Sequence, residues 1–140
     1  MSWKNKLFRL KNPYDLTSSN RLFLAAMKEN CKYQYDHCAD YKRILDEMHF
    51  HPNDLREYKD LERLPFLPTL YFKKHTLFSM EQYRMLIKAT SSGTSGRKSY
   101  IGFNFSSLWR GLSMVITVGK YHHLWSLNPV HYLISAISWI

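Results

Sequence analysis

Two prolines standing three residues apart divide this chain. They lie in Leu64-Pro65-Phe66-Leu67-Pro68-Thr69-Leu70-Tyr71-Phe72. Proline locks φ and carries no backbone N–H, so neither a regular helix nor a central strand runs through such a pair. The segment therefore reads as extended, with its aromatic residues buried. The stretch before it has helical periodicity, and the stretch after it has the alternation of short strands.

On the helical side, Thr17, Ser18, Ser19 and Asn20 are N-cap candidates, because their side-chain oxygens can accept the free N–H groups of a first turn. Leu22, Phe23, Ala25, Ala26, Met27 and Tyr33 then follow a helical pattern to about His37. Asp40 is placed to cap a second helix carrying Tyr41, Ile44, Leu45 and Met48. Pro52 stops it, and Asn53 or Asp54 starts a short helical turn. Beyond the prolines, residues 82–89 read as a strand with Tyr83, Met85 and Ile87 on one face. Residues 99–103 read as a second strand, residues 105 to about 124 as a third helix, and residues 130–140 as a buried, partly β-branched strand. This order predicts an α/β chain, with N-terminal helices followed by the beginning of a mixed sheet. Residues 1–140 read as part of a single domain, with a helical entry region over about 1–62 and the sheet over about 63–140. That length suffices for one real core, and 16% aromatic residues exclude a disordered chain.

Between the two short strands lie seven small or hydroxylic residues: Thr90, Ser91, Ser92, Gly93, Thr94, Ser95 and Gly96. Gly93 and Gly96 let the backbone approach a ligand and adopt positive φ. Successive N–H groups in such a turn can form an anion-binding nest. The hydroxyls add donors, and Lys98 supplies a mobile positive charge suited to a phosphate. Two better-known glycine motifs do not fit. The spacing Gly-x-x-x-x-Gly-Lys-Ser/Thr is absent, and only Gly93-x-x-Gly96 of the dinucleotide fingerprint is present, with a strand rather than a helix after it. Ser/Thr/Gly clusters also mark surface loops in general, so composition alone leaves cradle and plain loop both open.

Thr90-Ser91-Ser92-Gly93-Thr94-Ser95-Gly96 followed by a lysine resembles the phosphate-binding signature of adenylate-forming enzymes, which join a carboxylate to ATP to give an acyl-adenylate and pyrophosphate. That pattern continues Gly-x-Pro-Lys; here Gly96-Arg97-Lys98 lacks the proline and is one residue shorter. The resemblance extends along the chain. His37-Cys38-Ala39-Asp40-Tyr41-Lys42-Arg43-Ile44-Leu45 is similar to the second-helix entry of acyl-protein synthetases and phenylacetate–CoA ligases. His51-Pro52-Asn53-Asp54-Leu55 and Asp60-Leu61-Glu62-Arg63-Leu64-Pro65-Phe66 follow in the order of those families. The prolines of the first paragraph, running on to Phe72-Lys73-Lys74 and His75-Thr76-Leu77-Phe78-Ser79, resemble the acyl-protein synthetase version.

The resemblance implies the N-terminal part of a long-chain-fatty-acid–protein ligase. Thr90 to Gly96 and Lys98 would then hold the ATP phosphates, and Mg2+ would accompany the ATP with its ligands outside this chain. A fatty acid or other carboxylate would be activated and its acyl group passed to an enzyme cysteine near the family's far end, which neither Cys31 nor Cys38 matches. In luminous bacteria such ligases serve a fatty-acid reductase complex that makes aldehyde for luciferase; relatives elsewhere sit among surface-polysaccharide genes. The family is more than twice as long as this chain, and Ile140 falls inside an expected core strand. The expectation is a fragment or one half of a split gene, with little or no ligase activity by itself. The close rival is a fragment of a phenylacetate–CoA-type ligase, which uses coenzyme A as acceptor.

The remaining features constrain less. The net charge of +9 favours anionic partners, and Lys4, Lys6, Arg9 and Lys11 among Trp3, Leu7, Phe8 and Leu10 read as a solvated face. A basic nucleic-acid-binding module is the rival from another class, without a recognisable motif to carry it. Cys31 and Cys38 form no disulfide framework or zinc spacing and suit buried positions in a reducing, cytoplasmic setting. His49, His51, His122 and His123 lack metal-partner spacing, Asp36-His37-Cys38 is adjacency rather than triad geometry, and no run reaches membrane-spanning length.

Overall fold

The computed structural model describes residues 2–12, 14–91 and 98–125. Along them run α1 (Trp3–Leu7), α2 (Leu16–His37), α3 (Ala39–Glu47), α4 (Thr69–Lys74), β1 (Ile87–Thr90), β2 (Tyr100–Phe103) and α5 (Phe105–Tyr121), with 3-10 turns at Pro52–Asp54, Tyr58–Arg63 and Gln82–Arg84. The described residues therefore form a set of helices with a two-stranded antiparallel sheet.

Helix α2 ends at His37, as its periodicity predicts, but begins at Leu16. Thr17, Ser18, Ser19 and Asn20 lie inside it. The cap is Asp15, whose carboxylate accepts from the Thr17 N–H at 3.1 Å and whose carbonyl accepts from the Ser19 N–H at 3.1 Å. An upstream carboxylate suits the positive end of the helix dipole better than a hydroxyl does. Asp40 is likewise one residue inside α3. Cys38 precedes the helix in extended conformation without a side-chain cap, and Asp40 in the first turn pairs with Arg43 at 3.3 Å.

The core is built where α2, α3 and the segment after α3 meet. Cys31, Leu45, Phe50 and Leu55 are buried together, with Leu24, Tyr41, Leu61 and Leu64 packed around them. A left-handed residue brings the chain there. His49 has φ 51°; its N–H bonds to the Asp46 carbonyl (3.1 Å), and the Phe50 N–H bonds to the Leu45 carbonyl (2.9 Å). These two reversed bonds and the Leu45–Phe50 packing make a Schellman termination. His123, with φ 53°, ends α5 in the same way through the Lys120 and Gly119 carbonyls. His51 Nδ1 accepts from the Asn53 N–H at 3.2 Å and so caps the turn led by Pro52. Three of the histidines weighed as metal ligands thus have backbone-directing roles.

Asp60 repeats the capping logic one turn later. It is buried, and its Oδ2 accepts from the N–H groups of Arg56 and Glu57, each at 2.8 Å. Those two donors, Glu57 first, hold its carboxyl below the ordinary carboxylate range.

Part of the basic N-terminal stretch forms the short helix α1, docked on α2; Lys6, Arg9 and Lys11 are exposed, as a solvated face requires, while Lys4 is partly covered. The Glu29 carboxylate of α2 accepts from the Ser2 hydroxyl and from the Trp3 N–H at 2.7 Å, with Lys4 at 3.9 Å. Partial burial opposes ionisation of Glu29, yet the Ser2 and Trp3 hydrogen bonds and the Lys4 charge hold its carboxyl below the usual range. A carboxylate of a neighbouring helix thus satisfies donors that the first turn of α1 leaves open.

Three other expectations are corrected. The prolines bar a helix through them but not after them, so α4 starts at Thr69, with the Tyr71 N–H bonded to the Pro68 carbonyl at 2.9 Å. Gln82–Arg84 turns as 3-10 helix instead of pairing, and the strand is confined to Ile87–Thr90. The aromatic residues of the proline segment are not buried as expected: Phe66 is 85% exposed and Phe72 39%. The strand expected over residues 130–140 lies outside the described residues.

Two predictions follow from the turns. His49→Gly removes the left-handed penalty of a residue bearing Cβ and should stabilise the fold by about 1 kcal/mol in urea unfolding; an unchanged or lower midpoint would contradict the Schellman assignment. For Asp60 the depressed carboxyl pKa means that its stabilisation is present above the unfolded pKa and fades as pH falls through the folded one. Thermal melts of the protein and Asp60→Asn should therefore differ at pH 7 and begin to draw together only as pH falls below about 4.

Candidate phosphate-binding site

The strands place the hydroxyl- and glycine-rich loop. β1 and β2 pair antiparallel with Ile87 opposite Phe103, Lys88 opposite Gly102, Ala89 opposite Ile101 and Thr90 opposite Tyr100. The ladder begins with the Leu86 N–H on the Phe103 carbonyl at 2.8 Å. Beyond Thr90 the base of the loop is closed by two bonds. The Ser91 N–H donates to the Ser99 carbonyl at 3.1 Å, and the Ser99 N–H donates to Ser91 Oγ at 3.0 Å. Ser91 Oγ thereby spends an acceptor site on the stem and keeps its O–H as a donor. The strand expected after the loop is present, so the loop is a hairpin connection and not a strand-to-helix turn.

The hairpin brings Thr90, Ser91 and Lys98 to its closed end, with Thr90 and Lys98 exposed. Ser92, Gly93, Thr94, Ser95 and Gly96 lie outside the described residues. After β2 the chain enters α5 at once. Asn104 Oδ1 accepts from the Ser107 N–H at 2.9 Å, and Ser107 Oγ accepts from the Asn104 N–H at 2.9 Å, a reciprocal cap that fixes the strand-to-helix corner. Gly102 admits Met85 across the strand: a Cβ there would stand 2.5 Å from Met85 Sδ.

Charge is far from evenly distributed. All 11 acidic residues stand at or before Glu81. Arg84, Lys88, Arg97, Lys98, Arg110 and Lys120 follow it without a single carboxylate. The half that carries the loop thus holds +6 of the net +9. Counting by halves reveals this signal in the sequence, where the total reads only as a spread basic charge. Such a one-signed region raises the local concentration of anions.

The other reactive groups are occupied elsewhere. Burial pushes the Cys31 thiol up, against a smaller opposite pull from the Tyr41 hydroxyl at 3.5 Å; a thiol held protonated is a poor nucleophile. Cys38 is buried, and both cysteines are free. Asp36 bonds to Lys32 at 2.9 Å, while His37 stacks on Tyr33 with Nδ1 2.9 Å from the Tyr33 carbonyl, so these neighbours of Cys38 do not form a triad. Among the described residues, no three His, Cys, Asp or Glu side chains converge on a metal position, and no helix is long and apolar enough to cross a membrane.

Residues 7–134 match the family described as acyl-protein synthetase, LuxE. The chain belongs to this family. Among curated proteins it is similar to the phenylacetate-coenzyme A ligase of Thermus thermophilus, at 29% identity over 85 residues, 59% of this chain and 19% of that one. The phenylacetate-coenzyme A ligase of Aromatoleum evansii is 23% identical over 90 residues, 62% and 20% of the two chains. The long-chain-fatty-acid–luciferin-component ligase of Vibrio harveyi is 28% identical over 102 residues, 73% and 26%. The chain thus spans a fifth to a quarter of the length of these relatives. No solved structure matches it.

Within this family member the Ser91–Ser99 pair is the described anchor of the loop. Ser91→Ala removes the acceptor of the Ser99 N–H, and one hydrogen bond of about 1 kcal/mol corresponds to about fivefold faster exchange of that amide. Hydrogen-exchange mass spectrometry of the 99–103 segment checks it; unchanged exchange would mean that the side chain does not hold the stem.

Proposed function

We propose that this chain supplies the ATP-phosphate loop of an acyl-activating ligase. The observation that carries it is the hairpin loop of hydroxyls and glycines, closed at Ser91–Ser99 and set in a half of the chain with six cations and no carboxylate. In the reaction, a carboxylate oxygen attacks the α-phosphorus of ATP. The bond to the bridging oxygen breaks, and pyrophosphate leaves with its electrons. Thr90, Ser91, Ser92, Gly93, Thr94, Ser95 and Gly96 orient the phosphates through N–H and O–H donors, and Lys98 offsets the charge that grows on the departing pyrophosphate. None of them forms a covalent bond. No carboxylate follows Glu81, so this half of the chain offers a magnesium ion no carboxylate ligand.

The relatives named for phenylacetate and for a long-chain fatty acid share a carboxyl group on an apolar remainder, which is the substrate class we assign. Following the family, a cysteine thiolate attacks the acyl carbonyl and AMP leaves. That cysteine is neither Cys31 nor Cys38, whose burial suits them to packing. By itself the chain binds nucleotide and does not complete the reaction.

Nucleotide protection tests the loop. ATP at about 100 times its Kd adds about 2.7 kcal/mol to the unfolding free energy. In Gly93→Val, whose Cβ branch closes the backbone approach, that increment should vanish while the unliganded stability stays within about 1 kcal/mol. Full protection of the variant by ATP would remove the loop from the binding site.

A further inference from the structure

Helix α5 carries an exposed apolar seam. Phe105, Trp109, Leu112 and Ile116 follow one another at intervals of four, three and four residues, the spacing that keeps side chains in one line along a helix. All four are exposed, from 39% at Ile116 to 72% at Phe105. The line runs for about 16 Å. Its next position is Gly119, and there the chain supplies its own cover. The Trp125 indole fills the space that a Cβ at Gly119 would need, and it donates to the Ile116 carbonyl at 3.2 Å. The seam thus takes apolar cover at its last turn and stays open before it. An exposed apolar line of this kind marks an interaction surface.

A basic hollow runs beside the seam. It opens to ≈ 330 Å³ between the chain after α1 and the end of α5, where Arg9, Lys11, Thr117, Lys120 and Tyr121 line it. Arg9 also lines a neighbouring recess, together with Trp109 and Arg110. Trp109 therefore belongs both to the seam and to its basic flank. No carboxylate lines the hollow or the recess, and α5 itself contains none. Among the described residues, Arg9, Lys11, Arg110 and Lys120 enter no ion pair. Apolar surface and charge lie side by side here, and the charge is all of one sign.

We infer that the α5 seam docks an amphipathic helix of a partner protein, one whose apolar stripe is flanked by carboxylates. The stripe covers Phe105, Trp109, Leu112 and Ile116, and the carboxylates reach the cations of the hollow. Charge and shape select this occupant over two others. A second copy of α5 brings cations against cations with no carboxylate to offset them, which disfavours self-pairing. A flat anionic bilayer meets the seam but not cations set in a hollow, whereas acidic side chains on a helix extend into it. The inference does not depend on the phosphate-cradle reading, since none of these residues belongs to the loop.

Fluorescence anisotropy of the full chain with three labelled synthetic helices, each long enough to span the seam, tests this. One carries a leucine stripe flanked by glutamates, one the same stripe flanked by lysines, and one the glutamates with the stripe changed to glutamine. The first is expected to bind at least about tenfold more tightly than either control, and to weaken as added salt screens the charges. Leu112→Asp puts a carboxylate against the apolar stripe and should weaken that binding about tenfold or more. Ile116→Asp repeats the test should Leu112→Asp fail to fold by circular dichroism. The double variant Arg9→Glu with Lys120→Glu should invert the preference toward the lysine-flanked helix, a change that lost packing alone does not produce. Equal binding of the glutamate- and lysine-flanked helices, no binding of either, or undiminished binding by both aspartate variants would overturn the assignment. A chain that is dimeric by light scattering and made monomeric by Leu112→Asp would overturn it in favour of a second copy. Seam-dependent binding to phosphatidylglycerol vesicles, without binding of the glutamate-flanked helix, would overturn it in favour of a lipid surface.

Discussion

The burial of Leu45 is the contact on which the helical half depends. It is fully enclosed, and Leu55 is nearly so. Neither could be enclosed by α2 and α3 alone. The left-handed turn at His49 sends the chain back over the end of α3, so that Phe50 and then Leu55 close the same core from the other side. Truncating such an enclosed leucine typically costs about 2–5 kcal/mol. The 3-10 turns that follow are held by carboxylates and a ring nitrogen acting on backbone N–H groups, at Asp54, Asp60 and His51. Much of the polar chemistry of this half goes into satisfying turns that the core requires.

The sheet half has another character. Its described strands are short, and large apolar side chains there and on α5 are exposed, among them Ile101 at 55%, Phe105 at 72% and Trp109 at 53%. Its charge differs as well: six cations follow Glu81 with no carboxylate among them in the sequence, and Arg84 pairs back to Glu81 at 4.0 Å. A basic hairpin end with Thr90, Ser91 and Lys98 at its described base attracts anions.

Periodicity made the interior of α2, α3 and α5 and the strand after the loop legible in the sequence, because those elements rest on repeated apolar spacing. Helix starts were harder. Thr17, Ser18, Ser19 and Asn20 all satisfy the local rule for a cap, and only the tertiary path of the chain decides that Asp15 does the work. Helix α1 was illegible for a related reason: a five-residue helix has little intrinsic stability, and Glu29, far along the sequence, supplies its cap. At the site, residue types suggested phosphate binding while leaving a plain loop open. The closure at Ser91 and Ser99 could not be read from composition, since it depends on strand register. The charge asymmetry was visible in the sequence once acidic and basic residues were counted on either side of Glu81.

The central claim is that the loop between β1 and β2 grips phosphates. The most direct measurement is amide hydrogen exchange across residues 90–99 with pyrophosphate, with ATP and with adenosine. The account predicts slowed exchange in that segment with pyrophosphate and ATP and none with adenosine, because N–H groups there would bond to phosphate oxygens. Equal exchange with all three ligands, or protection confined to α2 and α3, would contradict it.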